Sequence, residues 1–93
     1  MPDTLGLLQE ALQLAHDLGY RVREEPLGEL PGGGCTIGGV RHVLLNIEHT
    51  PAERLDRLLA ALAADPGLAA EPKSRLLEDR LRLLAGGGGQ PSR

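Results

Sequence analysis

The sequence predicts an α+β domain with the order α-β-β-β-α-α, its three-stranded, mainly antiparallel sheet packed against helices. Three observations carry that reading. The chain opens with a leucine- and alanine-rich stretch of helical period. Gly38-Gly39 separates two short apolar runs in the manner of a hairpin turn. Thr50-Pro51-Ala52-Glu53 then marks the start of a second helix. Residues 1–85 are read as one domain and 86–93 as a flexible Gly-rich tail.

The first helix is expected from Asp3 to Leu18. Leu5, Leu8, Leu12 and Ala15 form one stripe, and Leu7, Ala11, Leu14 and Leu18 an adjacent one, which gives a wide apolar face. Asp3 or Thr4 is placed to cap its start, and Gly19 to end it in a left-handed conformation. Tyr20 to Glu25 alternates Tyr20/Val22/Glu24 against Arg21/Arg23/Glu25, as a short strand with one wet face does, and Pro26 stops it. After a loop ending in Gly32-Gly33-Gly34, Cys35–Ile37 and Val40–Ile47 flank the Gly-Gly turn. That register sets Ile37 opposite Val40 and Cys35 opposite His42.

The second helix begins with a capping box and Pro at its first position, and Leu55, Leu58, Leu59 and Leu62 form its stripe. Glu53 and Arg57 are spaced for a surface ion pair. Asp65-Pro66-Gly67 ends that helix. A third is expected from near Pro72 to Ala85, with Leu76, Leu77, Leu81, Leu83 and Leu84 on one broad face and the charges of Lys73, Arg75, Glu78, Asp79, Arg80 and Arg82 on a solvated one.

Composition narrows the functional classes. The 93 residues are 41% hydrophobic and 25% charged, ordinary for a globular chain, but Phe and Trp are absent and Tyr20 is the one aromatic. Leucine must build the core. A net charge of −3 without a basic stripe or stacking platforms argues against nucleic-acid binding. No apolar run reaches the roughly 20 residues that span a bilayer, so no membrane association is expected. The start of the chain shows no signal-peptide pattern and the single Cys35 cannot form an internal disulfide, which together predict a cytoplasmic protein.

The chemistry-bearing residues are sparse. Gly32–Gly34 precede a strand rather than a helix and have no lysine nearby, unlike a phosphate loop. Cys35 opposite His42, with Asn46 on the same face, is the one arrangement that resembles an activated thiol, but no third group fixes the imidazole. Cys35, His42 and His49 are the candidate metal ligands, with Glu48 beside them. A protein site needs at least three clustered ligands, and only Cys35 and His42 face each other, so no metal and no cofactor is expected. His16 reads as a solvated helix residue. Glu24 and Glu25 point to opposite faces of their strand and cannot act on one bond. Ser74 and Ser92, the only serines, sit at a helix start and in the tail, where no catalytic triad forms.

Across Leu18–Ala64 the chain runs helix, Gly-Tyr-Arg-Val strand, glycine-interrupted hairpin ending Val43-Leu44-Leu45-Asn46, then a capped helix with Glu53-Arg54-Leu55. This order resembles the front of the ImmA/IrrE-type metallopeptidase domain and covers about half the chain. In that family the helix carries His-Glu-x-x-His. Here the matching stretch, Leu59 to Asp65, reads Leu-Ala-Ala-Leu-Ala-Ala-Asp, so the resemblance implies a non-catalytic relative.

The expected function is therefore a small protein-interaction domain, more in keeping with binding than with catalysis. The alternatives are an enzyme or metal-binding protein using Cys35, His42 and His49, and a regulatory relative of a metallopeptidase. The Val40–Ile47 strand is apolar in both phases. Val43, Leu45 and Ile47 share one face; Val40 and Leu44, with Cys35 and Ile37, share the other. One face takes the domain's helices, and the apolar pattern fits either of the two in that place. The other, expected at Cys35, Ile37, Val40 and Leu44, takes the third helix or, preferentially, a second copy in a homodimer; another protein partner is the remaining possibility.

Overall fold

The computed structural model describes residues 4–87. Helix α1 spans Thr4–Asp17 and buries Leu7, Leu8, Ala11, Leu14 and Ala15, while Leu5 stays exposed. Asp3, one of its two expected caps, lies outside the described residues. Gly19, at φ 91°, ends the helix as expected. The Gly19 amide donates to the His16 carbonyl at 3.0 Å and the Tyr20 amide to Ala15 at 2.9 Å, the bond pair of a Schellman motif.

Strands β1 (Arg21–Glu25), β2 (Gly33–Ile37) and β3 (Val40–Asn46) form an α+β sheet in the order β1-β3-β2. The β2–β3 pair is an antiparallel hairpin in the expected register, with Cys35 opposite His42 and Ile37 opposite Val40. Gly38 (φ 58°) and Gly39 (φ 81°) are both in the positive-φ conformation that two-residue hairpin loops require. The β1–β3 pair is parallel, Arg21 aligning with His42 and Glu25 with Asn46. Pro26 stops β1, and residues 26–32 cross the sheet end by two strand spacings, about 10 Å. β2 therefore starts at the far edge, and its hairpin folds β3 back into the vacant centre.

Helix α2 (Pro51–Leu62) is fixed by the predicted capping box. The Glu53 amide donates to Thr50 Oγ1 at 3.2 Å, and Glu53 Oε1 accepts from the Thr50 amide at 2.9 Å. These bonds, the Thr50 amide first, hold the Glu53 carboxyl below its ordinary pKa. Because Glu53 turns back to the cap, the expected Glu53–Arg57 ion pair does not form among the described residues; Arg54 instead approaches Glu24 of β1 at 3.6 Å. Thr50→Ala is expected to lower stability by about 1 kcal/mol in equilibrium urea unfolding. An unchanged midpoint would contradict the capping role.

Leu55, Leu58, Leu59 and Leu62 of α2 are fully buried against Val43 and Leu45 of the sheet and the apolar face of α1. Gly34 brings β2 under α2: a Cβ there would sit 3.5 Å from Ala61. A 3-10 turn, Leu68–Ala70, follows, so helix α3 (Arg75–Gly87) begins later than the expected Pro72. Lys73 is not a solvated helix charge. Its Nζ donates to the carbonyls of Leu68 and Glu71 at 2.7 Å, holding that turn. Ser74 starts α3, accepting from the Leu77 amide at 3.1 Å, and Glu10 of α1 accepts from both its amide and hydroxyl at 2.7 Å.

α3 packs on α1 and α2. Leu77 is buried and Leu81 and Leu84 are partly buried, but Leu76 and Leu83 point outward, so the five leucines do not share one face. Arg80 reaches back to Asp56 of α2 at 2.8 Å, a bond that raises the Arg80 pKa, rather than facing solvent. Gly86 and Gly87, assigned to the tail by sequence, continue the helix, and 88–93 of that expected tail lie outside the described residues.

Candidate functional site

The helices gather on the Val43/Leu45 side of the sheet, which leaves the opposite face without a helix over it among the described residues. The strand registers dictate its composition. One row across β1, β3 and β2 is Arg21, His42, Cys35; the next is Arg23, Leu44, Gly33. Val40 and Ile37 close the turn end. The four residues expected at an interface, Cys35, Ile37, Val40 and Leu44, thus share this face. Ile37 is 61% exposed and Val40 37%, Cys35 is exposed and Leu44 half-buried. Arg23 pairs with Glu25 along its own strand, which neutralises that edge and leaves Arg21 as the face's unpaired cation among the described residues.

The loop after β1 limits the face at its other end, and Asn46 holds that loop. Its side chain is 1% exposed, and its amide uses every bonding position. Oδ1 accepts from the Leu27 and Glu48 amides at 3.2 and 3.0 Å, and Nδ2 donates to the Gly28 and Leu30 carbonyls at 2.9 and 3.1 Å. Gly32 lets the loop pass tightly beside β3, since a Cβ there would strike the Leu44 carbonyl. Leu30 is left exposed at the rim.

At the sheet's turn end, on the helix side, Arg41 makes a latch. Its guanidinium lies 4.4 Å over the Tyr20 ring, donates to the Leu18 carbonyl at 2.7 Å, and pairs with Asp65 in the turn after α2. The Asp65 side chain is 6% exposed and also accepts from the Gly67 amide at 2.7 Å. That amide first, then Tyr20 and Arg41, hold its carboxyl below the usual range, while burial raises the Tyr20 phenol. A carboxyl whose pKa is depressed on folding stabilises the fold above its unfolded pKa and loses that contribution as pH falls through the folded value. Stability is therefore expected to decline below about pH 4, and Asp65→Asn to flatten that decline, as read from urea midpoints across a pH series. An identical acid slope in both proteins would contradict the latch.

The chemistry these groups support is limited. Cys35 and His42 are cross-strand neighbours, with Cβ atoms about 5 Å apart. Neither side chain is tied up in a hydrogen bond or ion pair. Ala60 and Ala61 of α2 and the following Ala64 join Gly34, Cys35 and His42 among the residues around a shallow depression of about 330 Å³. His49 lies past the far end of β3, its amide donating to Asn46 at 3.0 Å. Four residues of strand, about 13 Å, separate His42 from Asn46 alone. The structure thus unites two of the three candidate ligands and not the third, and no cluster of three or more His, Cys, Asp or Glu suited to a metal occurs among the described residues.

His16 is solvent-exposed beside Asp17 at 3.8 Å. Glu24 and Glu25 diverge to Arg54 and Arg23 respectively. Sequence reasoning missed the roles of Asn46 and Arg41. The signal for Asn46 was a polar amide ending an otherwise apolar strand, next to a long glycine-rich loop. No described helix is long and apolar enough to cross a membrane. Compared with known proteins, the chain matches no family model, no curated protein and no solved structure.

Proposed function

We propose that this chain works by binding rather than by catalysis, as a small interaction domain that forms a homodimer through the open face of its sheet. The observation that carries the reading is the position of Ile37, Val40, Leu44 and Cys35 on one uncovered face, with the helices all on the other. A second copy of the chain is the occupant this face fits. Glu25 answers Arg23, and Arg21 at the β1 edge is the one unpaired arginine that each copy brings to the contact among the described residues. A two-fold contact is closed and leaves neither sheet face open to further copies. The free, exposed thiol suits a reducing compartment, and we assign the protein to the cytoplasm.

Light scattering coupled to size exclusion tests this at high micromolar concentration. The expected mass is twice 9.9 kDa, returning to 9.9 kDa in Leu44→Asp, which places a charge in the centre of the face. A wild-type mass of 9.9 kDa at every concentration would overturn the proposal. A dimer indifferent to Leu44→Asp would move it to another surface.

A further inference from the structure

We propose that the outer edge of β1 is a docking site for an extended, acidic segment of a partner protein. That segment adds to the sheet as a further strand and sets apolar side chains in the groove between β1 and α1. The strand order leaves β1 at one edge, paired only with β3. The Ile47 amide donates to the Glu25 carbonyl at 3.1 Å, so Glu25 turns its backbone groups toward β3, and Arg23 and Arg21 do the same by alternation. Val22 and Glu24 therefore turn both N–H and C=O outward, where no described residue meets them. Two such residues offer paired donors and acceptors repeated at roughly 7 Å. Another extended backbone matches that pattern, and a compact ligand does not.

The same two residues point their side chains to the helix side, as their alignment with Val43 and Leu45 requires. There they join Leu12 and His16 of α1 and Tyr20 around a groove of about 500 Å³. Leu12, Tyr20 and Val22 pack on the core yet stay half-buried, because no described residue covers them from beyond the edge. An added strand alternates its side chains as β1 does. Every second one enters this groove, where aliphatic groups complete the burial of all three.

The intervening side chains stand on the open face, beside Arg21 and Arg23. Arg23 already pairs with Glu25, whereas Arg21 has no ion-pair partner among the described residues. A carboxylate on the added strand answers Arg21, and a lysine there meets it as a like charge. The opposite edge lacks this selectivity, since β2 carries no charged side chain. Contact through the sheet face leaves the β1 edge open, so the site stands whether or not the dimer does.

The probe is a short capped peptide that alternates leucine with glutamate, titrated into the full isotope-labelled chain and followed by amide NMR shifts. Saturable shifts are expected at Val22 and Glu24 and at Leu12 and Tyr20. Methylating the peptide's backbone nitrogens, replacing its leucines with glycine, or replacing its glutamates with lysine should each weaken binding roughly 10-fold or more. Arg21→Glu should reverse the preference for glutamate over lysine while the rest of the spectrum stays native. Leu44→Asp should bind the peptide as tightly as wild type, which separates this site from the dimer. Shifts absent at millimolar peptide, confined to β2, equal for glutamate and lysine peptides, or lost in Leu44→Asp would overturn the proposal. So would Val22 and Glu24 amides already protected from exchange in the free protein, the mark of a second copy paired along β1.

Discussion

Replacing Asn46 with Leu is expected to lower stability by about 3 kcal/mol, although the new side chain is similar in volume and apolar. The Asn46 amide makes four hydrogen bonds, three of them to the loop at Leu27, Gly28 and Leu30 and one to the Glu48 amide. Leucine supplies none of them. A buried donor or acceptor left without a partner costs about 1–3 kcal/mol, and the loop's exposed side allows water to restore some of these bonds. Asn46→Asp keeps the two acceptor contacts but sets a carboxylate against two carbonyls. It should be equally damaging at neutral pH and partly relieved by acid. Urea unfolding checks both, and a loss below about 0.5 kcal/mol, the range of a neutral surface change, would show that the loop is held by something else.

Leu59→Ala should cost about 2–5 kcal/mol, the range for emptying a buried leucine site. Leu59 sits in α2 with no exposure, in a core built of leucines with Ala11, Ala15 and Val43. With no Phe or Trp in the chain and the one Tyr at the core's edge, no large flexible ring is available to fill the space. A domain of this size is stable by only about 5–14 kcal/mol, so this one change removes a large part of the total. Leu83→Ala, at 69% exposure, is the control and should change little. Equal losses at both sites in thermal or urea unfolding would contradict the placement of α2 in the core.

Local signals in the sequence were sufficient wherever a feature is built from neighbouring residues. Gly38-Gly39 gave the hairpin and its register, because two adjacent positive-φ residues fit few other structures. Thr50 to Glu53 gave the cap, and the two-phase apolar pattern of β3 separated Val43 and Leu45 from Val40 and Leu44, but Ile47, grouped with the first pair, lies past the end of the strand and is exposed. What escaped depended on distant partners. The parallel pairing of β1 with β3 follows from the path of residues 26–32 across the sheet, and nothing within β1 encodes it. Glu53 satisfied the spacing rule for Arg57 equally well, but the cap lies closer and wins. The start of α3 moved to Arg75 because Glu10, 64 positions away in sequence, fixes Ser74. The open face was legible as a set of residues, whereas its being uncovered required knowing that α3 packs on α1 and α2.

Isotope-filtered NMR on a sample mixing labelled and unlabelled chains observes the contact between copies directly. Intermolecular cross-peaks should arise from the methyl groups of Ile37, Val40 and Leu44 and from the ring protons of His42, with none from Val43 or Leu45 on the helix side. Cross-peaks confined to Leu5, Leu76 or Leu83, the exposed leucines of the helical layer, would contradict self-association through the sheet, as would a spectrum with no intermolecular cross-peaks at all.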